Sequence, residues 1–260
     1  MSKINLGLPL EYKKLPEYFD AHNVCDDTDS KNSVIEKLLK AHKVKTVLDL
    51  TCGTGSQVFF LAKHGYQVTG ADFSPALLEI ARGRASSEKI DVNFIDGDMR
   101  TLKVGTFDAV ITIFNAIGHL TKAGFEKSIR NIHKNLKDGG LYVFDIFNLE
   151  AMTDEAVAGL AMHTHKKIGN TQIYAIQSSS IDRNNGLLTS YDSCMIQKNA
   201  DKPQSFNNKF SLQIYTANEL KQMLARNGFE TVGQYGMDGS KFVEGKTLNI
   251  ITVARKNLVG

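Results

Sequence analysis

The sequence predicts an α/β fold, a parallel β-sheet covered on both faces by helices, with an antiparallel β-meander inserted before the last helix. Three observations predict it. Between residues 45 and 147, short continuously apolar runs alternate with amphipathic stretches, the pattern of buried parallel strands and their crossover helices. From about residue 160, strand-like runs are separated by the turn pairs Gly169-Asn170 and Asn185-Gly186 and by the break Asp201-Lys202-Pro203. After residue 216, one helical stretch and two strand-like runs close the chain.

A leading stretch of 1–28 precedes the first clear helix, Asn32 to His42. Thr46-Val47-Leu48-Asp49-Leu50 is a short buried strand, followed by a Gly-rich turn and an apolar helix from Val58 to Lys63. That helix stops at His64-Gly65, where glycine accepts the left-handed C-cap. Tyr66 to Ala71 is the second strand. Ser74-Pro75 opens the next helix, which runs to about Arg84, because serine can cap free N–H groups and proline tolerates the first helical position. Val92 to Ile95 is the third strand and Asp108 to Phe114 the fourth. Thr121 opens a helix with Phe125, Ile129, Ile132 and Leu136 on one face, and Lys137-Asp138-Gly139-Gly140 turns into the fifth strand, Leu141 to Ile146. The meander runs lie near 162–168, 171–181, 187–197 and 206–215. In the last of them Phe210, Leu212 and Ile214 alternate with Ser211 and Gln213, the period of a half-buried strand. Thr216 and Glu219 make a capping box for a helix ending near Gly228, and strands at about 230–236 and 247–254 complete the sheet. The expected organisation is a cap segment at 1–28, a core at 29–158, an inserted substrate lid at 159–215, and the end of the core sheet at 216–260.

With 42% hydrophobic and 23% charged residues, the chain reads as an ordinary soluble globule. Its net charge is only +3, and Lys and Arg are scattered, with no run longer than an adjacent pair such as Lys166-Lys167, which argues against a nucleic-acid partner. No apolar run approaches the roughly 20 residues that span a bilayer, so no membrane partner is expected. The first residues lack an apolar signal core. Cys25, Cys52 and Cys194 are far apart with no CxxC spacing, which reads as a reducing, cytoplasmic setting. His163 and His165 have no carboxylate or Cys neighbours to complete a metal site and read as one face of a strand.

The central motif is Val47-Leu48-Asp49-Leu50-Thr51-Cys52-Gly53-Thr54-Gly55, where a strand ends, the backbone turns tightly and a helix begins. Glycines there let a ligand approach the backbone closely. A dinucleotide fingerprint places a third glycine where this chain has Val58, so that pattern is broken and an NAD-binding fold is disfavoured. Asp72, at the end of the second strand, can accept from both ribose hydroxyls of a nucleoside. Asp96-Gly97-Asp98-Met99 follows the third strand. Asp98 can accept from an adenine amino group, and the Met99 N–H can donate to the ring. Phe114-Asn115-Ala116-Ile117-Gly118-His119-Leu120 follows the fourth strand, so His119 stands where open α/β sheets place ligands.

In order and spacing, Asp49 to Gly55, Asp72 and Gly97-Asp98-Met99 resemble the class I S-adenosylmethionine (SAM)-dependent methyltransferases. The resemblance implies a Rossmann-like sheet of seven strands with the last antiparallel. It places the methionine portion of SAM over Asp49, Thr51, Gly53 and Gly55, the ribose at Asp72, and adenine near Phe73, Asp98 and Met99. Many members carry glycine where this chain has Thr51. The Phe114 to Leu120 stretch is similar to that of the nucleotide-linked amino-sugar N,N-dimethyltransferases, and the glycine N-methyltransferases have a similar Asn-x-x-x-His-Leu. The likeness implies that His119, Tyr12 and Tyr18 lie beside SAM and a substrate amine, with His119 accepting a proton or fixing the amine and Tyr12 assisting. At the fifth strand end, where the sugar enzymes tend to carry Trp, this chain has Ile146-Phe147-Asn148. The expected activity is methyl transfer to a small-molecule acceptor, an amine. An RNA or protein acceptor and a non-catalytic SAM-binding module are the alternatives.

Overall fold

The computed structural model describes residues 5–23 and 27–258; Cys25 lies outside them. The apolar runs form five parallel strands: β1 (Thr46–Asp49), β2 (Gln67–Asp72), β3 (Asn93–Asp96), β4 (Phe107–Thr112) and β5 (Leu136–Phe147). β10 (Phe229–Tyr235) and β11 (Asn249–Lys256) extend the sheet to the order β10-β11-β5-β4-β1-β2-β3. β11 pairs antiparallel with both β5 and β10, the reversed last strand that the resemblance implies.

Successive strand residues face opposite sides of the sheet, so each strand feeds two cores. Val47, Ala109 and Ile111 pack with Ile35 and Leu39 of α2 (Thr28–Ala41), Val58 and Leu61 of α3 (Ser56–Lys63), and Leu78 and Ala81 of α4 (Pro75–Glu88). Leu48 and Val110 pack on the other side with Phe125, Ile129 and Ile132 of α5 (Lys122–Lys134) and Leu220 and Leu224 of α7 (Ala217–Ala225). Two short helices, α1 (Phe19–Asn23) and α6 (Asp154–Ala158), complete the helical set among the described residues. Ser74 and Thr216 cap as their sequences imply. Ser74 Oγ accepts from the Leu77 N–H, and Thr216 and Glu219 bond reciprocally.

Several boundaries differ from the sequence reading, among them α2, which starts at Thr28 rather than Asn32, and α4, which runs to Glu88; two further differences shape the core. β5 begins at Leu136 rather than Leu141, because Leu136 pairs with Phe107 across a register shift that absorbs the expected turn at 137–140. In the meander, β6 (Met162–Ile168), β7 (Thr171–Asp182), β8 (Leu187–Lys198) and β9 (Gln204–Gln213) form a separate antiparallel sheet, and β9 stops before Ile214. Ile214 and Tyr215 leave the strand to enter the main core, where both are fully buried.

The segment before α1 has two short 3₁₀ turns, Leu10–Tyr12 and Pro16–Tyr18. It is tied down at both ends. The Leu6 carbonyl accepts from the Ser211 N–H of β9 at 2.6 Å, and the Tyr12 carbonyl accepts from Ser74 Oγ at the start of α4 at 2.7 Å. It therefore bridges the inserted sheet to the carboxyl ends of the parallel strands. Among the described residues, no helix is long and apolar enough to cross a membrane.

Candidate active site

Strand order reverses between β1 and its two neighbours, β2 on one side and β4 on the other. In an open α/β sheet, the crevice at that reversal is where ligands bind. Asp49 ends β1 and Asp72 ends β2, and both are almost fully buried. Asp49 accepts from the Thr51 N–H at 3.1 Å. Asp72 holds two turns at once, its Oδ2 accepting from the Gly53 N–H and its Oδ1 from the Ser74 N–H, each at 2.9 Å. Burial pushes the Asp49 carboxyl up to about 7 and the Asp72 carboxyl up to about 6, against the opposing pull of those N–H bonds.

Gly53 and Gly55 both adopt positive φ, at 53° and 90°, so the tight turn needs glycine twice. Only Gly53 faces the crevice. Gly55 faces inward, where an added Cβ would stand 2.6 Å from the Phe59 ring of α3. Its service to the site is thus indirect. Gly55→Ala should cost about 2–4 kcal/mol, combining left-handed strain with overpacking. A denaturant midpoint equal to the parent's would contradict this.

The crevice is a cavity of about 630 Å³, within the range of cofactor sites. Tyr12, Asp49, Thr51, Gly53, Asp72, Phe73, Asp98, Met99, Phe114 and His119 all line it. Tyr18 does not. It turns away to pack with Leu15 and Phe206 against the inserted sheet, in the small cluster around Ile173, Cys194 and Ile196. Gln57, which the motif reading passed over, also lines the cavity, and both of its amide atoms are buried without a partner. Thr51 Oγ1 is in the same condition. Buried polar atoms are normally paired, so these groups await a polar ligand. Asp98 is less available than its sequence suggests, since the Arg100 guanidinium grips its carboxylate and holds it below the usual carboxylate range.

At the far end of the cavity, β4 runs into Phe114 and Asn115, two consecutive non-glycine residues with φ near +60°. Such backbone persists only where its surroundings enforce it. The enforcing group is Asp145, an acid within the apolar run of β5. Its buried carboxylate accepts from the Asn115 N–H at 3.2 Å, while the Asn115 side chain accepts from the Phe147 N–H at 3.0 Å. This kink launches the 3₁₀ turn Ala116–His119. His119 Nε2 lies 3.5 Å from Tyr12 Oη, and Tyr12 in turn stacks on Phe73 with ring centres 5.8 Å apart. His119 Nδ1 is buried without a partner, and burial pushes the imidazole down to about 4, so the ring is neutral near pH 7. Burial and the Asp72 charge raise the Tyr12 phenol, which stays protonated. A neutral imidazole beside a protonated phenol can hold a nucleophile and accept its hydrogen bond.

The scattered cations of the sequence are partly gathered by the fold. α5 puts Lys127, Arg130 and Lys134 on one face, opposite Arg100 and Arg226 across a shallow groove. Arg100 is paired with Asp98 and Arg226 with Glu126. The groove meets the large cavity at Arg100 and does not reach His119.

The comparisons agree with this geometry. Residues 47–140 match a family described as "Methyltransferase domain". A putative methyltransferase from Geobacillus sp. (strain WCH70) is 31% identical over 129 residues, covering 48% of this chain and 52% of the relative. The glycine N-methyltransferase of Oryctolagus cuniculus is 26% identical over 196 residues, covering 68% of this chain and 66% of the relative. The sugar N-methyltransferase KedS8 from Streptoalloteichus sp. superposes with a TM-score of 0.77 at 17% identity, over 99% of this chain and 96% of that one. The chain spans about half the length of the first curated relatives it matches. Residues 47–140 are thus similar to a methyltransferase domain, and the sheet order and crevice have the fold of the SAM-dependent methyltransferase structures.

Proposed function

We propose that the chain binds SAM in the large cavity and transfers its methyl group to the amine of a small molecule held beside His119. The observation that carries this reading is the His119–Tyr12 pair, which stands where the large cavity meets a second, smaller one under the inserted sheet. The names of the rabbit glycine enzyme and the sugar N-methyltransferase support an amine acceptor. Asp72 suits the ribose diol, and Gln57 and Thr51 suit the amino-acid head. Phe73 suits the base, with Asp98 and Met99 at its edge. Residues 1–28 act as a cap and 159–215 as a lid over the 29–158 and 216–260 core. The free, buried Cys52 and Cys194 fit a reducing compartment such as the cytoplasm.

When bound, SAM supplies a methyl already activated on a sulfonium sulfur. The protein's task is then alignment and exclusion of water, which can supply roughly 7–11 kcal/mol of the barrier. His119 accepts an N–H hydrogen bond from the neutral amine and aims its lone pair, while Tyr12 fixes the imidazole. The proton that the alkylated nitrogen must lose leaves by way of the His119 ring to solvent. Labelled SAM offered to pools of small amines, to tRNA and to protein tests the reading. Transfer to a small amine is expected, and transfer only to tRNA or protein would overturn it. The basic groove favours a polyanion as the second reading, but it does not reach His119.

The buried carboxyls predict a pH dependence. In the ligand-free protein Asp49 and Asp72 hold protons up to about pH 7 and about pH 6. Cationic SAM favours their ionised forms, so binding releases protons and affinity rises from pH 5 to pH 8. Calorimetry in two buffers of different ionisation heat reads the release directly, and equal heats at pH 6 would refute it. Ligand-free stability runs the other way. The folded carboxyls keep their protons above the unfolded pKa, so their contribution is full below about pH 4 and lost as pH rises toward 7.

A further inference from the structure

We propose that the groove beside α5 binds an oligophosphate and that Arg100 couples its occupancy to the large cavity. The coupling rests on the reading above that SAM fills that cavity; the anion site does not. The groove has a volume of about 740 Å³. Lys127, Arg130 and Lys134 stand at i, i+3 and i+7 of α5, so one helix face carries them over roughly 10 Å. Arg100, after β3, and Arg226, after α7, line the same groove. The field at a helix C-terminus accounts for Lys134 in the last turn. It does not account for Lys127, midway along α5, or for arginines on two other elements. Like charges at this spacing repel. Among the described residues, none of the three α5 cations has an ion-pair partner. Arg130 donates to the Asn227 side-chain oxygen at a long 3.5 Å.

Five cations around one hollow match a compact ligand with several negative charges, and guanidinium groups suit phosphate oxygens in pairs. A nucleic-acid strand would add bases that need stacking faces, and His133 is the one ring among the described lining residues. Arg100 is the residue common to this groove and the large cavity. Its guanidinium donates to both Asp98 oxygens, and that bond, with Lys127 at longer range, holds the Asp98 carboxyl low. The pair is half-exposed, so exchanging its partner costs little. A phosphate in the groove offers Arg100 a second acceptor. As the guanidinium turns to it, Asp98 is released to accept from the amino group of the base. The bound anion also adds negative potential beside a cavity that takes a cationic cofactor. Both effects have the same sign, and linkage makes them reciprocal.

Calorimetry on the full chain with inorganic tripolyphosphate tests this. One-to-one binding is expected, weakened roughly tenfold or more as salt rises from about 50 to about 200 mM. Arg130→Gln combined with Lys134→Gln should weaken it by roughly tenfold as well, with melting temperature unchanged. Saturating tripolyphosphate should tighten S-adenosylhomocysteine binding by roughly three- to tenfold in the parent. In Arg100→Gln the anion should still bind but leave that affinity unchanged. Tighter binding of a hexaglutamate or of a uridine hexanucleotide than of tripolyphosphate would overturn the proposal in favour of an acidic peptide or RNA. Anion binding indifferent to the double substitution overturns it too, as does a parental S-adenosylhomocysteine affinity that tripolyphosphate leaves unchanged. Failure of the underlying reading looks different, because S-adenosylhomocysteine then does not bind while tripolyphosphate still does.

Discussion

Asp72→Ala is expected to weaken SAM binding at least ~100-fold, the largest affinity loss of any single side-chain truncation in the cavity. The carboxylate does two jobs. Its Oδ2 and Oδ1 accept from the Gly53 and Ser74 N–H groups, holding the glycine turn and the first turn of α4 against each other. The carboxylate also lines the cavity, where a ribose diol can donate to it. Hydrogen bonds to a charged group contribute about 1.5–3 kcal/mol each, and about 1.4 kcal/mol is a factor of ten, so losing the diol contacts alone accounts for the expected effect. Removing the acceptor also strands two buried N–H groups, at about 1–3 kcal/mol each. Melting temperature should therefore fall together with affinity. Asp72→Asn is the informative companion. Its amide replaces one acceptor oxygen by a donor, which must then face the Gly53 N–H, the Ser74 N–H or the diol, so it too should bind SAM poorly while preserving shape. Calorimetric affinity within threefold of the parent in Asp72→Ala would remove the residue from cofactor binding.

That effect follows from residues the sequence already exposes, since Asp49, Gly53, Gly55 and Asp72 sit in a strand–turn–helix–strand pattern whose periodicity and spacing are local. What the sequence conceals is tertiary. The N-terminal segment consists of isolated 3₁₀ turns with no hydrophobic period to read, and its path is set by bonds to Ser211 and Ser74, 205 and 62 residues from their partners Leu6 and Tyr12. Tyr12 and Tyr18 are therefore indistinguishable in sequence, yet one reaches His119 and the other packs under the inserted sheet. Asp98 reads as a free acceptor until Arg100, two residues on, is seen to fold back onto it. Asp145 and Gln57 did leave a trace, each being the one polar residue in a run that is otherwise apolar, Leu141 to Ile146 and Gln57 to Ala62. A polar side chain in a buried run has to be paired, and asking with what leads to the Phe114–Asn115 kink in one case and to the empty-handed amide in the cavity in the other.

The kink is also why His119 should matter more for turnover than for binding. His119 stands on a turn wedged so closely that a Cβ at Gly118 would lie 2.9 Å from Ile146 of β5 and 3.1 Å from Leu212 of β9. Main sheet and inserted sheet thus fix the ring together. His119→Ala is expected to lower kcat by about 10²–10⁴, the usual range for a positioned acid–base group, with SAM affinity changed less than about threefold. Tyr12→Phe keeps the aromatic stack on Phe73 and loses only the hydroxyl opposite Nε2, so its kcat loss should be smaller, about tenfold by the energy of one hydrogen bond. The pH dependence separates a chemical role from a structural one. Burial holds His119 down to about 4, so the ring is already neutral at pH 6 and contributes no activity change between pH 6 and pH 8. Because its folded pKa lies below the unfolded value of about 6.5, the folded state resists the proton, and stability is lost as pH falls from about 6.5 toward 4. In His119→Ala that acid-side loss of melting temperature should shrink while kcat stays low at every pH. A variant with parental kcat would show that His119 only fills space between the two sheets. One with parental kcat but a raised KM for the amine would make it a binding group alone.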